Sequence, residues 1–249
     1  MQFFYSADIQ SNTIFLDEEE SAHCSRTLRK KMGDVIEVMD GRGGWYKAQI
    51  ISAHKNSVQA QIVQTLPAPA ARQAKLHLAI APTKNIDRIE FLLEKGVEIG
   101  LETFSLLLCE HSERKNVRVD RLEKIALAAC KQSFKSFLPA INDLQNFEKF
   151  ITQYADNQVN KYIAYCGEAE KNYLPLLLET QKVSPQCEET LILIGPEGDF
   201  SPKEVEFAQK AGFQPISLGE SRLRTETAGL VAVLMFGVDY ERKFVQNNP

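Results

Sequence analysis

Two stretches of this chain set acids, arginines and glycines where apolar runs stop. LILIGPEGDFSPKEV, Leu191 to Val205, carries an apolar run into a loop with Glu197 and Asp199. Ser201, Pro202 and Glu204 follow as a helix start: a capping serine, a proline suited to the first helical position and an acid that can close a capping box. In open α/β sheets the crevice between a strand's carboxyl end and the next helix is where ligands bind. The loop has neither G-x-G-x-x-G spacing nor a following G-K-[ST], so it is not one of the common nucleotide-phosphate loops. The two acids disfavour phosphate, although a helix N-terminus alone would welcome an anion. A ligand read by backbone groups, uncharged at its ring end and cationic elsewhere, fits better. The alternative is a well-capped connection whose acids offset the helix dipole.

SLGESRLRTETAGL, Ser217 to Leu230, repeats the arrangement: an apolar strand, Gly219, then a helix entered near Thr225. Two such loops on neighbouring strands would wall one pocket, with Arg222, Arg224 and Glu226 at its rim. The plainer reading of Arg224 and Glu226 is a solvated pair worth under about 1 kcal/mol. KYIAYCGEAEK offers a third strand-end loop at Cys166 to Glu168, the least informative of the three.

The elements that must hold these loops follow from pattern. TIFL and the alternating stretch from Asp34 to Val63, broken by the turn-rich DGRGG and HKNS, read as short strands of a small β-barrel, with DEEESAHCSRTL as a short helix. Thr65 to Ala74, with two prolines and no periodicity, reads as a linker between domains at residues 1–68 and 75–249. Beyond it, strands such as KLHLAIA, TFSLLLC and ETLILIG alternate with helices such as NIDRIEFLLEKGVEIG, closed by Gly100, and a helix capped at Asp120. That alternation predicts the α/β class: a mostly parallel sheet with helices on both sides.

The 249 residues are 44% hydrophobic and 25% charged with a formal charge of -4, so any nucleic-acid surface must be local. Arg26 to Lys31 and Arg114 to Lys124 are such concentrations, though charge runs are commonly solvated faces and acids interleave the second. Five scattered cysteines without a C-x-x-C pair, and four histidines without ligand spacing, exclude a disulfide framework and structural zinc. The histidines read as structural or surface groups. No secretory signal and no apolar run of membrane length is visible, which predicts a soluble cytoplasmic protein.

The motifs GPEGDFSxxE and LGxxxLRTETA together resemble the SPOUT-class RNA methyltransferases, specifically the bacterial 16S ribosomal RNA uridine N3-methyltransferase family. HCSRTLRKKMGD, KNIDRIEFLLEKGVEIG and AACKQSFKSFLPAI extend the likeness along the chain. The family often has Arg where Lys135 stands, and residues 110–122 are a variant of a usually different Arg/Ser segment. Both departures bear on RNA contacts more than on cofactor binding. The resemblance implies a PUA-like N-terminal barrel, a deep C-terminal trefoil knot, S-adenosylmethionine as cofactor and an obligate homodimer. It also implies 16S ribosomal RNA, within the 30S subunit, as substrate, and neither metal nor membrane. S-adenosylmethionine matches the loop chemistry, bringing a readable adenine and a sulfonium but no phosphate.

On that resemblance Cys166, Gly195, Pro196, Glu197, Gly198, Leu218, Gly219, Leu223 and Thr225 line the cofactor pocket, and a valine at Gly198 fills space the ligand needs. Arg224 and Glu226 are the catalytic candidates, one stabilising charge on the uracil carbonyls and the other accepting the N3 proton. Arg26, Arg29, Lys30, Lys84, Arg88 and Arg114 are the candidate RNA contacts. Two alternatives remain at this point. A 2′-O-ribose methyltransferase of the same superfamily would carry Ser-Leu-Asn where Leu223 to Glu226 stand, and a non-catalytic RNA-binding protein would use the barrel and a degenerate pocket.

Overall fold

A computed structural model describes residues 3–68, 72, 74–167, 171–180 and 189–247. Glu168, Cys187 and positions 69–71 and 73 of the expected linker lie outside the described residues. Contacts divide the chain into two compact units, Met1–Ala71 with Leu127–Leu138, and Arg72–Ala126 with Pro139–Pro249.

The first unit is a six-stranded sheet. Its elements are β1 (Phe3–Tyr5), β2 (Asp8–Gln10), β3 (Thr13–Leu16), α1 (Glu18–Ala22) continued by a π-helical turn (His23–Thr27), β4 (Val35–Met39), β5 (Trp45–His54) and β6 (Ser57–Thr65). The order is β1-β4-β5-β6-β3-β2, antiparallel except for β1 with β4. Alternation sets its core: Ile14, Leu16, Ile36, Val38, Ala48, Ile50, Val58 and Ala60 are buried on one face with Phe4 and Cys24. Asp17 caps α1 by accepting from Glu20 N, and the buried Ser21 hydroxyl donates to Leu16 O and accepts from Val58 N, fastening helix to sheet. Residues 127–138 cluster here because Leu138 N donates to Gly41 O, Gly43 N donates to Ser136 O and Lys131 Nζ pairs with Glu20 Oε1 at 2.5 Å.

The rest of the chain runs β7 (Lys75–Ile80), α2 (Ile86–Ile99), β8 (Thr103–Leu108), α3 (Val119–Ser133, whose residues from Leu127 on group with the first unit), β9 (Ala140–Asn146), α4 (Phe147–Tyr154), β10 (Asn160–Ala164), β11 (Asn172–Tyr173), α5 (Leu174–Thr180), β12 (Glu189–Ile194), α6 (Pro202–Lys210), β13 (Gln214–Ser217) and α7 (Thr225–Asn247). Its seven strands, in the order β11-β13-β10-β12-β7-β8-β9, pair in parallel throughout. The central strands β7 and β12 are buried along nearly their whole length, with Leu76, Leu78, Ala79 and Ile80 and with Leu191 to Ile194, because both faces are covered. Leu191 and Leu193 face α4 and α6 through Phe147, Phe150, Val205 and Ala208. The alternate residues Ile192 and Ile194 therefore take the opposite face.

Within the second sheet, His77 of β7 is 1% exposed and wired into a buried network. Its Nε2 lies 2.7 Å from Ser105 Oγ, which also accepts from Asn142 Nδ2, and its Nδ1 lies 3.3 Å from Glu189 Oε1 and from the Tyr154 hydroxyl. The hydrogen bond from His77, opposed by partial burial, holds the Glu189 carboxyl below the usual carboxylate range.

One local expectation is corrected. α3 starts at Val119, so Asp120 lies inside the first turn and pairs with Arg118 instead of capping. β9, β11 and α5 carry no clear pattern. β9 is an edge strand with polar, exposed positions, which erases the apolar alternation that reveals an inner strand.

Candidate functional site

The parallel sheet brings the carboxyl ends of β13, β10 and β12 to one edge side by side. Their loops enclose a cavity of about 820 Å³, within the several-hundred-Å³ range of small-molecule sites. The first wall is Ala164, Tyr165 and Cys166 after β10, with Lys171. The second is Ile194 to Glu197 and Asp199 after β12, and the third Ile216 to Thr225 after β13, with Ala228. Arg88 of α2 completes the lining.

The second wall is built as its sequence requires. Ser201 Oγ accepts from Glu204 N and Glu204 Oε2 accepts from Ser201 N, a complete capping box. Glu204 Oε1 also accepts from Glu110 N, drawing in the segment after β8. Glu197 faces another loop: its Oε1 accepts from Lys84 N at 3.0 Å. A Cβ at Gly195 would meet Phe200 N at 3.0 Å and its ring at 3.1 Å, so a larger residue here would push Phe200 away by a few tenths of an ångström.

Of the residues expected to hold a cofactor, Cys166, Gly195, Pro196, Glu197, Leu218, Gly219, Leu223 and Thr225 line the cavity. Gly198 does not; a Cβ there would meet His111 Cβ at 3.0 Å, so a valine would displace His111 before it filled ligand space. His111 Nδ1 lies 3.0 Å from Asp199 O and 3.2 Å from Gly198 O. The Asp199 carbonyl is the main cause that raises the pKa of this exposed histidine, against desolvation, with the Gly198 carbonyl, Glu110 and Glu204 adding to it.

Arg224 is exposed on the third wall. Glu226 lies just behind it in the first turn of α7, off the cavity lining, with Oε1 at 3.8 Å from Arg88 Nε and Oε2 buried without a hydrogen-bond partner. Arg88, expected at RNA, therefore belongs to the cavity. Arg114 is spent on the scaffold: its Nε and Nη2 donate to Thr83 O and Lys84 O at 3.1 and 2.5 Å. Lys84 Nζ pairs with Glu113 at 2.9 Å. In the N-terminal unit Arg26 and Arg29 are exposed, Arg26 donating to Asn56 Oδ1, and Lys30 is half-buried. Tyr165 and Lys171 are lining residues that sequence pattern does not single out, whereas Asp199 is one of the two acids that mark the loop in the sequence.

Among the described residues no group of three His, Cys, Asp or Glu side chains could hold a metal. Cys24, Cys109 and Cys130 are buried thiols whose pKa burial raises, to about 11 for Cys24 and about 12 for Cys130. No helix among the described residues is long and apolar enough to cross a membrane.

The family described as the RNA methyltransferase domain matches residues 70–236, and the RNA methyltransferase PUA domain matches residues 16–63. The chain belongs to the RNA methyltransferase family. Its relatives include Ribosomal RNA small subunit methyltransferase E of Mesomycoplasma hyopneumoniae, 30% identical over 92% of this chain and 96% of that one. A crystal structure of a probable rRNA-methyltransferase from Porphyromonas gingivalis superposes with a TM-score of 0.86 at 39% identity, covering 98% of this chain and all of that one. Ribosomal RNA small subunit methyltransferase E from Neisseria gonorrhoeae, solved bound to S-adenosyl methionine, gives a TM-score of 0.77 at 26% identity over 94% of this chain and 95% of that one. Within the methyltransferase match fall all three cavity walls and Arg88.

Proposed function

We propose that this chain is an S-adenosylmethionine-dependent enzyme that methylates N3 of a uridine in 16S ribosomal RNA, in the cytoplasm and on the assembled 30S subunit. The carrying observation is the three-walled cavity, whose second wall is acidic and built from backbone turns. Such a wall suits a ligand with a readable ring and a cationic centre, and it discriminates against nucleoside triphosphates. The S-adenosyl methionine complex of the Neisseria relative supports the same ligand. Residues 1–68 then act as the RNA-binding domain and residues 75–249 as the methyltransferase domain.

Bound there, S-adenosylmethionine supplies an activated methyl group; the protein's task is to place a uracil in line with it. The uridine N3–H is a weakly acidic imide whose proton must leave while charge builds on the flanking carbonyl oxygens. Arg224, exposed on the third wall, would stabilise those oxygens. Glu226 or a water would take the proton. Oε2 of Glu226 is buried without a hydrogen-bond partner and would be free to accept, while its Oε1 lies 3.8 Å from Arg88 Nε. Arg26, Arg29, Lys30 and Lys84 would contact phosphates, with Arg114 adding charge from its place in the scaffold. The family resemblance further implies that the C-terminal strands are knotted and that the enzyme is a homodimer. Phe91 of α2 with Leu234 and Val238 of α7, 52, 50 and 60% exposed on helices that pack together, offer an apolar surface for a second copy.

Calorimetric titration with S-adenosylmethionine and ATP, followed by incubation with 30S subunits or free 16S RNA and mapping of modified bases, tests this reading. Binding of the cofactor and not ATP, and a single N3-methyluridine on the 30S subunit, is the expected result. ATP binding in preference, or methylation at a ribose, would sink it. Ribose chemistry is the less favoured because Leu223-Arg224-Thr225-Glu226 replaces the Ser-Leu-Asn pattern of the 2′-O enzymes.

A further inference from the structure

The structure assigns Asp199 as a positioning residue that fixes the spacing between the first and second walls of the cavity. The assignment rests on the reading of that cavity as the cofactor site. Asp199 has φ +63°, a conformation that side chains other than glycine rarely adopt and that Asp tolerates better than most. Its backbone is pinned from two sides. Its N–H donates to Pro196 O at 2.9 Å, closing the turn, and His111 Nδ1 sits 3.0 Å from its carbonyl.

The carboxylate is divided between two amides. Oδ1 accepts from Phe200 N at 2.8 Å, and Oδ2 accepts from Cys166 N at 3.0 Å. The second bond crosses from one wall to the other. A glycine would occupy the same backbone conformation without strain. Strain persists at a site when the surroundings over-determine it, and here the return on it is a charged cross-tie between the two loops beyond Ala164 and Ile194, where the β10–β12 pairing ends. Because both oxygens are engaged, Asp199 acts on a ligand through the position of the Tyr165–Cys166 wall and not as a free anion. Cys166 N is likewise withheld from the ligand, so this wall must read a ring through its other groups.

Geometry and charge make different forecasts. S-adenosylmethionine carries a sulfonium cation, and its demethylated product S-adenosylhomocysteine is neutral at that sulfur. A clamp serves both equally, whereas an electrostatic anchor serves only the cation. Asp199→Gly in the full-length protein keeps a backbone that suits the turn and loses only the clamp. Titration calorimetry should show both ligands binding about tenfold more weakly, by the same factor, as expected for one charge-assisted hydrogen bond. The KM for S-adenosylmethionine should rise in step while kcat at saturation stays within about twofold. Asp199→Asn, with one acceptor oxygen for two amides, should fall between wild type and Gly. Unchanged affinities in Asp199→Gly, or a loss confined to S-adenosylmethionine, would overturn the assignment while the cofactor reading stands. A wild-type protein that binds neither ligand removes the cofactor reading itself.

Discussion

Arg224 is the residue on which the proposed chemistry turns most directly. If its guanidinium stabilises the uracil oxygens only as the methyl moves, Arg224→Ala should lower single-turnover methylation of 30S subunits about 10²–10³-fold and leave the cofactor Kd unchanged. Arg224→Lys should recover little, since a point charge does not reproduce a planar fork. A near-wild-type rate in the Ala variant would remove Arg224 from the mechanism. A second residue-scale test lies at the buried His77 network. The Glu189 carboxyl titrates below its ordinary 4.5, so it stabilises the fold above that pH and loses this contribution as pH falls from 4.5 toward the depressed value. Glu189→Gln should flatten the acid limb of a plot of Tm against pH; an unaltered limb would deny the network that role. The candidate residues legible in the sequence were those whose chemistry is local: glycine, proline and acids in a turn, or arginine and glutamate at a helix start. The bond between Asp199 and Cys166 N, His111 and the displaced role of Gly198 were not, because each depends on a partner brought in from a different loop.

At the scale of elements, α6 shows how a local code positions a wall. Ser201 is 4% exposed and its capping box also anchors the segment after β8 through Glu204. Ser201→Ala should cost about 1–2 kcal/mol, which for a chain of this size is a fall in Tm of roughly 2–4 °C per kcal/mol. Scanning calorimetry reads it, and no change would mean that Pro202 alone suffices to start the helix. α2 with its left-handed Gly100 cap, α6 and the strands β7, β8 and β12 could all be read from periodicity and caps. β9, β11 and α5 could not. An edge strand need only present backbone to one neighbour, and a two-residue strand leaves no period to detect.

At the scale of the whole molecule, the apolar residues on α2 and α7 carry the dimer proposal. Leu234→Lys with Val238→Glu in the full chain should shift sedimentation from dimer to monomer; a wild-type monomer at micromolar concentration would end the proposal. The strand order has a separate bearing on how the protein comes into being. The first sheet is finished once Thr65 has been made, whereas β7 must wait for β12, and β10 for β12 and β13, before the second sheet closes. Such distant pairings delay folding, because the intervening chain must be ordered before any contact compensates for it. Of the two units, the N-terminal one also holds the single tryptophan, Trp45. A chain emerging from the ribosome can thus have a tryptophan in a native setting while it is still unable to hold a ligand, because the third wall, residues 216–225, is synthesised near the end. During biosynthesis the enzyme would pass through an interval in which its N-terminal sheet is formed and its larger, ligand-holding unit is still inert.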